Sequence, residues 1–169
     1  EQVSATLFQN HPYRVPVIGW PQEIESLSRQ DALDFYADHY APNNALVVIA
    51  GDVDTEDVLK MAENTYGKVA RGPELPPRQR AEEPPTQASR TVTLRDDRVS
   101  LPSFGRHWIV PSYRQAEQGE AEALDVLSAI LSDGPQSRLY QALVVKTDVA
   151  AQAGASYDGG AFDYGRFVL

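Results

Sequence analysis

The sequence has no cysteine. Disulfide frameworks, thiolate zinc sites and thiol nucleophiles are excluded together, and the redox compartment stays open because a cysteine-free protein tolerates either. Histidine is scarce: His11, His39 and His107 are the full set. On a helix, a zinc peptidase sets two imidazoles at i and i+4, or i and i+3, with a general-base glutamate between them. No such pair exists here. No apolar run approaches the roughly 20 residues of a membrane helix. The opening EQVSATLFQN also lacks the basic and apolar regions of a signal peptide. Positive charge is in deficit too. With 15 Lys and Arg against 24 Asp and Glu, the formal net charge is -9, so a phosphate-tracking surface works against long-range repulsion and no nucleic-acid partner is expected. No Gly-x-Ser-x-Gly elbow is present to expose a serine on a strained turn. GDVDTED opens a helix, but its carboxylates crowd the amides that a phosphate needs bare.

What is present is ordinary globular material, 42% hydrophobic, enough to predict a packed core. The chain lacks an initiator methionine and stops inside the strand-like YGRFVL, so it is expected to be a piece of a longer protein.

Local signals define an α+β chain. Ser28 and Asp31 have capping-box spacing and predict a helix over 29–40, with Leu33, Tyr36 and Tyr40 on one face. Pro42, Asn43 and Asn44 end it. ALVVIAG is a short apolar, β-branched run, the pattern of a strand covered on both faces. A second capped helix starts at Asp54, turns Val58, Met61, Ala62 and Tyr66 inward, and is expected to close at Gly67. Residues 68–90 hold Pro73, Pro76, Pro77, Pro84 and Pro85 and no aromatic residue, which predicts an extended linker. Beyond it come strands in RTVTLRD and SFGRHWIVPSY, with Trp108 in the core. A helix over 115–132 with Leu124, Leu127, Ile130 and Leu131 buried precedes a second helix in QSRLYQALVVK. A hairpin turning at Asp158 to Gly160 closes the chain.

NHPYRVPVIGW, FYADHYAPNNALVVIAGDVD and SRLYQALVVK, in this order and spacing, resemble the M16 family of inverted-motif zinc peptidases, the pitrilysin and mitochondrial processing peptidase group. The resemblance implies parts of two homologous M16-type (LuxS/metallohydrolase-like) α/β-sandwich halves. Residues 1–67 would end the first half, 68–90 link, and 91–169 begin the second. It also implies a chamber for peptides or unfolded proteins, a second M16 subunit or a homodimer as partner, and a bacterial, periplasmic setting. His11 and the prolines around it would form a stiff loop behind the metal helices.

Two departures bound the expected function. The family's His-x-x-Glu-His motif and its distal glutamate should lie upstream of Glu1, so zinc is expected in the full-length parent and none in this chain. Catalytic and metal residues are accordingly none here. Many members also hold substrate with an arginine and, seven residues later, a tyrosine. Val144 and Ala151 occupy those positions, and neither supplies their donors. Arg138 and Tyr140 are nearby at the wrong spacing. The expectation is a fragment of a peptide-degrading or peptide-processing zinc metalloendopeptidase, inactive as cut; the alternative is a non-catalytic M16-fold scaffold or assembly subunit.

Overall fold

A computed structural model describes residues 1–169. The chain forms two compact units, one of Glu1–Gln9 with Pro84–Leu169 and one of Asn10–Glu83. The α-helices are α1 (Gln2–Leu7), α2 (Pro21–Ser26), α3 (Arg29–His39), α4 (Thr55–Asn64) and α5 (Glu120–Ser132). A π-helix covers Tyr140–Lys146, and the strands are β1 (His107–Pro111), β2 (Ser156–Asp158) and β3 (Tyr164–Val168).

In the unit Asn10–Glu83, helix starts follow side-chain caps. Asp31 Oδ2 accepts from Ser28 N at 2.8 Å and from its hydroxyl at 2.7 Å, while Asp31 N donates back to Ser28 Oγ at 3.3 Å. These bonds, the hydroxyl's foremost, lower the Asp31 pKa. Asp54 Oδ1 likewise accepts from Glu56 N at 2.9 Å and Asp57 N at 3.2 Å. The end of α4 differs from expectation. It stops at Asn64 and passes into a 3-10 turn over Tyr66–Lys68, so Gly67 lies inside a turn.

Residues 45–50 depart furthest from expectation. They form no strand, with Leu46 88% and Val48 79% exposed. A strand exists only where another pairs with it, and the one sheet of the chain is built from β1, β2 and β3. The inward faces expected of α3 and α4 are uncovered for the same lack of a facing layer: Leu33, Tyr36, Tyr40, Met61 and Tyr66 are exposed, and only Val58 and Ala62 are half-buried. An uncharged, exposed, β-branched edge pairs readily with its like. The 169-residue chain is therefore expected to self-associate at high concentration, and Val48→Lys to reduce it; light scattering showing a clean monomer for the unmodified chain contradicts this.

Residues 70–106 carry no helix or strand. Asn43 pins the start of this stretch, its Oδ1 accepting from Gly72 N at 2.9 Å and its Nδ2 donating to Pro73 O at 3.0 Å. RTVTLRD, expected as a strand, is extended and unpaired, and Asp96 leads it into a turn. Its carboxylate accepts from Arg98 N at 3.0 Å and Arg98 Nε at 2.8 Å. The Arg98 guanidinium holds the Asp96 pKa down to about 2.

The other unit carries the antiparallel sheet, in the order β1-β3-β2. β3 is central, α5 packs on β2 and α1 on β1. Phe8, Ala121 and Phe167 are the buried apolar residues. Phe8 sits 6.4 Å from Tyr164, and Phe167 meets Trp108 edge-on at 6.5 Å, ring centroid to centroid. Trp108 lies on an edge strand and is 40% exposed, against the core position expected for it. Helix α5 begins at Glu120, later than expected, because Gly119 takes a left-handed φ of +86° immediately before it. Leu124 and Leu131 of its expected stripe are half-buried, whereas Leu127 and Ile130 stay exposed where no element covers them. The expected second helix winds as a π-helix, and the final hairpin has a wider turn, over residues 159–163.

Candidate functional site

A cleft of about 540 Å³ lies in the sheet-bearing unit. One wall is α1, another is the extended segment 86–92, and the floor comes from Phe104 to Trp108. Arg90 holds two walls together: its guanidinium donates to Thr6 O and, at 3.3 Å, to Leu7 O, the unsatisfied carbonyls at the C-terminus of α1. Arg106 lies over the Trp108 ring, 5.6 Å from its centroid. His107 Nδ1 is buried without a hydrogen-bond partner. Burial first, and the Arg166 charge second, push the His107 pKa below its usual value, so its ring is neutral at pH 7.

On α5 the Asp125 carboxylate accepts from the Tyr113 hydroxyl. That bond, with Asp125 and Glu122 adding negative charge, pushes the Tyr113 pKa up to about 12. Tyr157 lies beside it, rings 6.3 Å apart, and donates to Pro111 O at 2.7 Å. A tyrosine pKa raised from 10.0 to about 12 contributes stability that is complete below pH 10 and is lost as pH rises through about 12. Asp125→Asn is expected to bring the Tyr113 titration back toward its ordinary value; a spectrophotometric tyrosinate titration identical to the parent's contradicts the pairing.

His11 is 2% exposed. Its Nδ1 accepts from Tyr13 N at 3.2 Å, capping the turn Pro12–Arg14, and the two rings meet edge-on at 4.3 Å. Glu83 Oε2 accepts from both Asn10 N and His11 N at 2.9 Å, and Asn10 Nδ2 donates to Glu82 O at 3.0 Å. These bonds clasp the two ends of the unit Asn10–Glu83. His11→Ala removes the cap and the ring contact at a cost of about 1–2 kcal/mol. It is expected to lower the melting temperature of the chain; unchanged melting contradicts a structural role.

Val144 is half-buried on the π-helix, and Ala151 is exposed beyond it. Between them Thr147 Oγ1 donates five residues back to Ala142 O at 2.7 Å, and Asp148 takes a left-handed φ of +51°. Arg138 is exposed and Tyr140 half-buried. No three His, Asp or Glu side chains group as metal ligands, so the residues present do not fit a zinc ion. Phe104, Arg106 and the Tyr113–Asp125 pair were not singled out from sequence. The cleft sets α1 against segments some 80 residues or more farther along the chain, and no local pattern announces it.

The model of the "Peptidase M16 inactive domain" family matches residues 26–169. A zinc protease of Helicobacter pylori, PqqE, is 30% identical over 149 residues, which is 88% of this chain and 33% of that protein. A probable mitochondrial-processing peptidase subunit beta of Schizosaccharomyces pombe is 33% identical over 67 residues, 40% of this chain and 15% of its own. The crystal structure of a protease from Helicobacter pylori superposes with a TM-score of 0.77 at 27% identity, over 99% of this chain and 40% of that one. The chain thus spans about a third of the length of the PqqE relative.

Proposed function

Since the chain belongs to the peptidase M16 family, within its inactive domain, we propose that it is the metal-free part of a longer zinc metalloendopeptidase that cleaves peptides or unfolded proteins, and is inactive alone. The observation that carries this reading is the match to an inactive domain over residues 26–169, joined to a relative named as a zinc protease over 88% of the chain. In this reading residues 1–67 end one homologous half, 68–90 link, and 91–169 begin the next. A second M16 subunit or a second copy completes the chamber, in a bacterial periplasm. Zinc bound elsewhere in the protein supplies the activated water. The contribution of this chain is to shape the chamber wall. Val144 and Ala151 stand where an arginine and a tyrosine would hold substrate, and neither supplies their donors.

An internally quenched peptide tests the proposal. The longer protein should cleave it and lose activity to a chelator, while the 169-residue chain leaves it intact. Cleavage by this chain alone overturns the reading. The second reading, a scaffold subunit, draws on the aliphatic residues at Val144 and Ala151, and predicts no cleavage by the longer protein either.

A further inference from the structure

Charge is distributed unevenly around the 540 Å³ cleft. In a chain with a net charge of -9, no aspartate or glutamate lines this cleft, and its charged side chains are Arg90 and Arg106. Both keep donors in reserve. Arg90 uses Nη1 on the carbonyls of Thr6 and Leu7, which leaves its Nε and Nη2 without a partner. Arg106 lies over the Trp108 ring and makes no ion pair. Stacking occupies the face of a guanidinium and leaves its rim of N–H groups free, the fork that matches a carboxylate. The rest of the lining is largely apolar: Val3, Leu7, Val92, Trp108 and the 87% exposed Phe104. At about 540 Å³ the space has the size of a small-molecule site.

We infer that the cleft binds a small apolar monocarboxylate, its carboxylate held by Arg106 and Arg90 and its aryl or alkyl body lying against Phe104, Trp108 and Leu7. Two arginines with no acidic neighbour in the cleft attract a negative group that the rest of this acidic chain repels. A phosphate fits less well. Phosphate sites draw on the bare amides of a helix N-terminus, whereas α1 presents its C-terminal carbonyls here and occupies part of Arg90 with them. Such binding needs neither zinc nor cleavage by the longer protein, so the two succeed or fail separately.

The test adds 3-phenylpropionate and octanoate, each beside its uncharged amide, to the isotope-labelled 169-residue chain and follows the indole N–H signals of its two tryptophans. Either acid should shift Trp108 in a saturable way and leave Trp20, in the other unit, unmoved. The amides should bind at least about tenfold more weakly, the loss expected when one charge-assisted contact is removed. Arg106→Gln should lose as much, whereas Arg98→Gln, which breaks the pair with Asp96 outside the cleft, should lose nothing. Phe104→Ala, at an exposed position outside the sheet, should weaken both acids while the unliganded Trp108 signal stays in place, which guards against misfolding. The tighter of the two acids identifies the body as aryl or alkyl. Equal binding of acid and amide, movement of Trp20 together with Trp108, displacement by inorganic phosphate at equal concentration, parental affinity in Arg106→Gln, or no saturable binding at all overturns the inference.

Discussion

Replacing Phe8 by alanine lowers the stability of the chain by about 3 kcal/mol, at the low end for a buried phenylalanine. Phe8 is 1% exposed and is one of only three buried apolar residues, so little neighbouring core can collapse into the space it leaves. Its ring packs against Tyr164 at the start of the central strand β3, and it immediately follows α1, which leans on β1. The loss therefore reaches one wall of the cleft, α1, and the strand β1 in its floor. For a chain of this size the melting temperature should fall by about 6–12 °C, with near-ultraviolet circular dichroism losing its aromatic signal first. A fall of less than a degree would mean that the contacts of Phe8 do not hold this unit together.

Gly165→Val is the second large effect, through excess volume. Gly165 is buried in β3, and a Cβ there would stand 2.8 Å from Asp158 O and 2.9 Å from Pro111 O, with the Tyr157 ring at 3.2 Å. Both oxygens belong to the backbones of the flanking strands, so neither can swing aside as a side chain would. Relief requires parting β3 from β1 or β2, and the cost is about 3 kcal/mol, the upper end for overpacking. Gly165→Ala meets the same contacts and should fall between. A valine variant that melts with the parent would contradict the close packing of β3 between β1 and β2.

The parts of the fold legible in the sequence are those set by neighbours a few residues away. Ser28 with Asp31 and Asp54 with its following amides fix helix starts through bonds inside one turn, and α3 and α4 begin where these caps predict. Residues 45–50 and RTVTLRD fail as strands for the opposite reason. Their side chains specify extension, but a ladder needs a partner, and in this chain neither segment has one. The uncovered faces of α3 and α4 repeat the lesson, since amphipathic spacing shows that a face is apolar and says nothing of what lies over it. The start of α5 was missed because Gly119 adopts a left-handed turn that its surroundings permit and its identity alone does not demand. Family membership was legible because HYAPNNALVVIAGDV is a long ordered pattern that composition does not produce by chance. The cleft was not, because edge status at β1 follows from the order of three strands spread over 62 residues, His107 to Val168.

On the proposed function, catalysis in a longer protein containing this chain resides outside residues 1–169. Elemental mass spectrometry after dialysis, on the full-length protein with the 169-residue chain beside it, tests that claim most directly. The expected result is about one zinc for each full-length chain, as for a single catalytic site, and none on the 169-residue chain. Zinc held stoichiometrically by the 169-residue chain would contradict it, and zinc on neither would leave the scaffold reading in its place.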